Sequence, residues 1–130
     1  MKTLAVALLA ILIAAPGSAQ DEMKSTKTQV SGYVVDAMCA KGMAKKDKPM
    51  EAAAMHTKQC ALEEECAASG FGVFSDGKWY KFDEKGDVMA SELIKASKTE
   101  KGIMVKAEGE MKGDVLAVSA LGELPAKGKE

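Results

Sequence analysis

The chain has 130 residues, a formal net charge of −1, and lysine but no arginine among its 18 basic residues. That length leaves room for one domain. The missing guanidinium groups argue against a nucleic-acid reader, because the bidentate phosphate and guanine contacts of such proteins are made by arginine.

The N-terminus has the plan of a secretory signal peptide. Lys2 supplies the charge, and Leu4 to Ala15 is an apolar run of 12 residues. Pro16 ends the run, and Gly17-Ser18-Ala19 places small residues at the −3 and −1 positions of a cleavage site. The run is too short for a membrane span, which takes about 20 residues. No cysteine follows closely enough for a lipid anchor. The expected protein is therefore periplasmic or secreted, cleaved after Ala19 and without a membrane span. Residues 20–27 are polar and expected to be disordered. A single domain is expected over residues 28–122, followed by a polar tail over residues 123–130.

Gln29 to Asp36 is rich in β-branched and aromatic residues and reads as the first strand. Ala37 to Pro49 reads as a loop, with Gly42 and the solvated run Lys41, Lys45, Lys46 and Lys48. Met50 to Ala68 is free of glycine and proline and made of strong helix formers, so one continuous helix is expected there. On it, the stripe Ala52, Met55, Leu62 should face the core. Gly70 suits a C-terminal cap. Phe71 to Ser75 and Lys78 to Asp83 then form a hairpin about Asp76-Gly77, a strong turn signal. Lys85-Gly86 reads as a turn, and Asp87 as the cap of a helix running to about Ser97. Ile103, Val105 and Ala107 alternate with polar residues, as in a half-buried strand. Lys112-Gly113-Asp114 turns into a last strand, Val115 to Leu121.

Five strands with a helix between the third and fourth point to a small OB-fold-like barrel. Its first inter-strand connection carries a helical insertion over about residues 37–69. That insertion holds every cysteine and the only histidine of the chain: Cys39, His56, Cys60 and Cys66.

Three cysteines and a histidine make a standard tetrahedral zinc shell. His56 and Cys60 are spaced i, i+4, on one face of a helix. Cys66 is harder to include, since six residues rotate it about 120° from Cys60 on an ideal helix. Either the helix breaks between Glu63 and Cys66, or Cys66 does something else. Asp36 could orient His56, although the plainer expectation is that it caps a turn. Met38, Met43, Met50 and Met55 crowd the same region. Thioethers with thiolates favour Cu(I), whereas Cys and His alone favour Zn, so either ion is a candidate, with Met38 and Met43 as extra ligands. The competing expectation is a disulfide with one buried thiol. Cys39–Cys66 would staple the insertion to the barrel, and Cys39–Cys60 is the other pairing.

Signatures of catalysis are missing. The chain has no Cys-x-x-Cys, Gly-x-Ser-x-Gly or His-Glu-x-x-His sequence. A non-enzymatic metal-binding module is the expected function, a disulfide-stapled structural or interaction domain is the alternative, and a thiol redox role for Cys60, with His56 one turn away, stays open beside them.

The run Val30-Ser31-Gly32-Tyr33-Val34-Val35-Asp36, followed by Cys39, His56-Thr57, Cys60-Ala61-Leu62, Cys66 to Gly70, and Asp76-Gly77-Lys78, resembles a largely uncharacterised family of small exported bacterial proteins. The resemblance spans about Val30 to Leu121. It implies that Asp36, Cys39, His56, Cys60 and Cys66 act as one constellation, and it leaves the choice between metal and disulfide open.

Overall fold

The computed structural model describes residues 27–126. The expected signal peptide, and all but Lys27 of the expected disordered segment, lie outside those residues. Lys27 itself opens a strand. The elements are β1 (Lys27–Asp36), α1 (Ala37–Met43), α2 (Pro49–Ala54), α3 (Lys58–Ala61), α4 (Glu64–Ala68), β2 (Phe71–Ser75), β3 (Lys78–Phe82), α5 (Glu84–Ala96), β4 (Met104–Lys112) and β5 (Val115–Glu123). Among the described residues, no helix is long and apolar enough to cross a membrane.

The five strands form one mixed sheet that closes into a ring in the order β1-β2-β3-β5-β4. All pairings are antiparallel except β3 with β5. Strand β1 belongs to two walls: Lys27 to Tyr33 pair with β4, and Tyr33 to Asp36 pair with β2. The chain bends between these walls at Gly32, where a Cβ would collide with the carbonyl of Phe74. Glycine at a barrel corner permits such close backbone approach. The Asp76-Gly77 turn has both residues at positive φ, 49° and 81°, which matches the twist that two-residue hairpins need.

Alternation sorts the apolar side chains into two cores. Val30, Val34, Phe71, Val73, Phe82 and Val105 fill the ring, closed by Ala90 and Ile94 of α5. Val35 and Phe74, on the opposite face of the β1–β2 wall, pack with Ala40, Met43 and Ala53 of the insertion. That wall is therefore buried on both sides, which explains its near-continuous apolar sequence.

Three expectations are corrected. Residues 37–43 form a helix, not a loop, because Asp36 accepts a hydrogen bond from the Cys39 N–H at 2.9 Å and caps it. Helix α5 starts four residues earlier than expected, since Asp83 caps it through the Gly86 N–H and the Lys85-Gly86 turn is absorbed into its first turn. Asp87 instead accepts from the Phe71 N–H at 2.7 Å, tying α5 to β2. The largest correction is the expected helix over Met50 to Ala68, which is three short helices. At the first break, residues 56–58 lie against residues 100–102: Gly102 N–H donates to the His56 carbonyl at 2.9 Å, Lys58 N–H donates to the Glu100 carbonyl at 2.8 Å, and Thr57 bridges Lys101. At the second break, Glu63 is extended, with φ −58° and ψ 141°. Helix propensity is a weak prior that tertiary hydrogen bonds override.

The ends of the domain also extend past expectation. Strand β5 runs to Glu123, and the Leu124 N–H donates to the Met104 carbonyl.

Candidate metal centre

The breaks in the expected helix are what assemble the site. Asp36 ends β1, fully buried, and Cys39 sits in the first turn of the helix Asp36 caps. His56 lies in the extended link between α2 and α3. Cys60 follows in α3, whose cap is Thr57; its hydroxyl accepts from the Cys60 N–H at 3.1 Å. Cys66 is in α4, with 5% exposure. The expected 120° offset of Cys66 does not arise, because α3 and α4 are separate helices.

Two overlapping groups of ligand atoms result. The sulfurs of Cys39, Cys60 and Cys66 lie within 4.8 Å of one another, and so do the ligand atoms of Asp36, Cys39 and His56. Cys39 is the common member. His56 and Cys60, expected on one helical face, are not in one group: the i, i+4 argument fails because Thr57 restarts the helix between them. Cys39 Sγ and Cys60 Sγ are 3.9 Å apart. A zinc thiolate with bonds of about 2.3 Å and tetrahedral angles needs about 3.8 Å between sulfurs. A disulfide needs about 2.05 Å, and all three cysteines are free.

Asp36 takes the plainer of the two roles weighed from the sequence, a cap, and stands next to His56 as well. One carboxylate oxygen caps α1. The other, Oδ1, faces His56 Nε2 at 2.9 Å, both almost wholly buried. These two atoms are close but poorly aligned for a hydrogen bond, and neither has another partner. Buried polar atoms normally find partners, so this pair has unused capacity for a ligand.

The electrostatics follow from burial. At Asp36, desolvation works to raise the carboxyl pKa, but His56 and the Cys39 N–H outweigh it and hold the group below its usual range. Burial first, and then the Asp36 charge, push the thiols of Cys39 and Cys66 up. Cys39 is raised further by Cys60. Without a cation these thiols stay protonated at neutral pH and are poor nucleophiles. A bound cation would reverse this balance, because coordinating thiols are deprotonated by the ion's charge.

The centre opens on a groove of about 770 Å³, with Cys39, His56 and Cys60 on its walls and Cys66 behind. The methionines divide in a way the sequence did not anticipate. Met38 is 49% exposed, its backbone N–H donates to Ser69 Oγ, and it is not on the groove. Met43 is buried and lines the groove. Met50 packs in the outer core. Met55, expected in the core, is 61% exposed on the groove wall, because α2 ends there and turns it outward. The sequence reading missed Thr57 as a positioning residue; the signal was a capping residue three places before Cys60. Lys46 and Lys48 lie in an exposed loop, as expected, and that loop forms part of the groove wall.

No protein-family model, curated protein or solved structure matches the chain. The functional reading therefore stands on the site itself.

Proposed function

We propose that the protein is an exported, non-enzymatic module that binds a soft or borderline transition metal, Zn(II) or Cu(I), on an OB-like barrel. The observation that carries the reading is the convergence of three thiols beside the buried Asp36–His56 pair, whose facing atoms lack aligned partners. Cys39, Cys60 and Cys66 supply the primary grip, and His56, held by Asp36, supplies or orients the fourth donor. The ring order β1-β2-β3-β5-β4, with a helix between β3 and β4, supports the OB-like reading. Export is proposed from the N-terminal sequence, and N-terminal sequencing of the secreted form should begin near Gln20.

A second reading draws on the same proximity. Cys39 and Cys60 are near enough that side-chain rotation and a small backbone shift would close a disulfide, leaving Cys66 as a buried thiol. Native mass spectrometry with thiol counting separates the two. The metal reading expects added metal mass and three alkylatable thiols after chelation. A loss of two hydrogens with one free thiol would establish the staple instead. Variants give the same answer independently. His56→Ala should lower zinc affinity by about 10–100-fold if the residue binds or orients the ion; if the cysteines form a staple, neither the wild type nor the variant takes up zinc and their melting temperatures should agree.

A further inference from the structure

We propose that the ion this centre takes is Cu(I), and that the Met55 thioether meets it at the groove before it passes to Cys39 and Cys60. The inference rests on the metal-binding reading above and names its cargo.

The sulfur donors on the groove are soft, and the borderline imidazole of His56 stands beside them. Three sulfurs form the cluster, and the one carboxylate among them, Asp36, has Oδ2 bonded to the Cys39 N–H and leaves only Oδ1, which faces His56, open to a ligand. Of the acids on the groove walls, Asp47 and Glu51 are exposed, and Glu51 pairs with Lys48 at 3.1 Å. The thiolates, His56 and Asp36 suit zinc as well as Cu(I), and the thioether is what favours Cu(I), since zinc shells are built from thiolate, imidazole and carboxylate without it.

Met55 adds the decisive placement. An exposed apolar side chain by itself means little. Met55, however, is adjacent to His56 in sequence and lines the groove that Cys39 and Cys60 line, with Met43 beside them. Met55 is the most exposed of the sulfur-bearing residues on the groove, where Cys39 and Cys60 are half-buried and Met43 is buried. The sulfur spacing is also compatible with Cu(I): three sulfurs around one ion in a plane, at bonds of about 2.3 Å, lie about 4.0 Å apart, against the 3.9 Å between Cys39 and Cys60. Binding moves no electrons. Three S–H bonds release their protons to solvent, three Cu–S bonds form, and the ion stays Cu(I). The complex carries one more negative charge than its zinc counterpart, and Lys46 on the groove wall offsets part of it.

The test uses the full chain under anaerobic, reducing conditions, with Cu(I) supplied from a chromogenic chelator and Zn(II) titrated separately. Met55→Leu keeps volume and hydrophobicity and removes only the sulfur. The expected result is Cu(I) withdrawn from the chelator by the wild type, about tenfold slower transfer in Met55→Leu, and an unchanged Zn(II) affinity. Equal transfer rates in the two proteins would overturn the role of Met55. A wild type that holds Zn(II) but leaves Cu(I) with the chelator would overturn the choice of ion while the metal-binding reading stands. Binding of neither ion would end both.

Discussion

The ring and the insertion solve the same problem by different means. The ring is held by alternating apolar side chains and paired strands, and its core is mostly large or β-branched residues, with Ala61, Ala90 and Ala107 as the small ones. The insertion has four helices of 4–7 residues, too short to be stable alone. Caps and links hold them instead: Asp36 on α1, Thr57 on α3, and residues 56–58 against residues 100–102. Lys58 completes the join by donating to the Ser97 carbonyl at 2.6 Å, beyond the end of α5. Hydrophobic periodicity can tolerate substitution, whereas a polar brace depends on individual atoms. The site sits in the braced region, so its geometry is sensitive to the loss of single polar atoms, whereas the ring responds to the loss of buried volume.

The comparison breaks most visibly in the ring. Phe82→Ala removes a side chain with 1% exposure, and should cost about 3–5 kcal/mol in urea unfolding. Because the insertion leans on the β1–β2 wall, metal binding should disappear with the fold. A variant that melts early yet binds metal normally would mean the two regions are independent.

A smaller effect is expected at the junction. Asp36→Asn retains shape and a capping oxygen but removes the charge facing His56. Zinc affinity should fall by about 10–100-fold, measured by competition with a chromogenic chelator, with the far-UV circular dichroism of the ring unchanged. Unaltered affinity would reduce Asp36 to a helix cap.

Within the insertion, Thr57→Ala removes the acceptor for the Cys60 N–H. Loss of such a cap costs about 1 kcal/mol. The loss should appear as faster hydrogen exchange at Cys60 and Ala61, with exchange in β4 and β5 unaffected. Equal protection in both proteins would show that the strand-like bridge, not the cap, restarts the helix.

The smallest effect concerns the tie between α5 and β2. Burial raises the Asp87 carboxyl pKa above its usual 3.8, against the opposing Phe71 N–H and Lys81. A carboxyl whose pKa is raised by folding contributes stability below the unfolded value and loses it as pH rises through the folded value. Asp87→Asn, which can still accept from Phe71, should therefore flatten the melting temperature across the lower carboxylate range and leave it equal or slightly higher at pH 7. An unchanged pH profile would show that Asp87 is solvated.

Much of the ring was legible in the sequence because strands announce themselves by a period of two, and Asp76-Gly77 can hardly be read as anything but a hairpin turn. The alternation of Ile103, Val105 and Ala107 reads directly as one buried face. The membership of the cysteine and histidine cluster was legible too, since soft ligands concentrated in one segment are visible without coordinates. Its arrangement was not. Composition over Met50 to Ala68 favours a single helix, on which Cys66 points away and Met55 points inward. Packing against residues 100–102 makes the first break, beside which Met55 turns to solvent, and the extended Glu63 makes the second, which lets Cys66 reach Cys39. Local sequence determined which residues could bind an ion and which strands could pair. The tertiary structure decided where the ligand atoms stand relative to one another, because the hydrogen bonds that interrupt the helix at residues 56–58 join segments more than 40 residues apart.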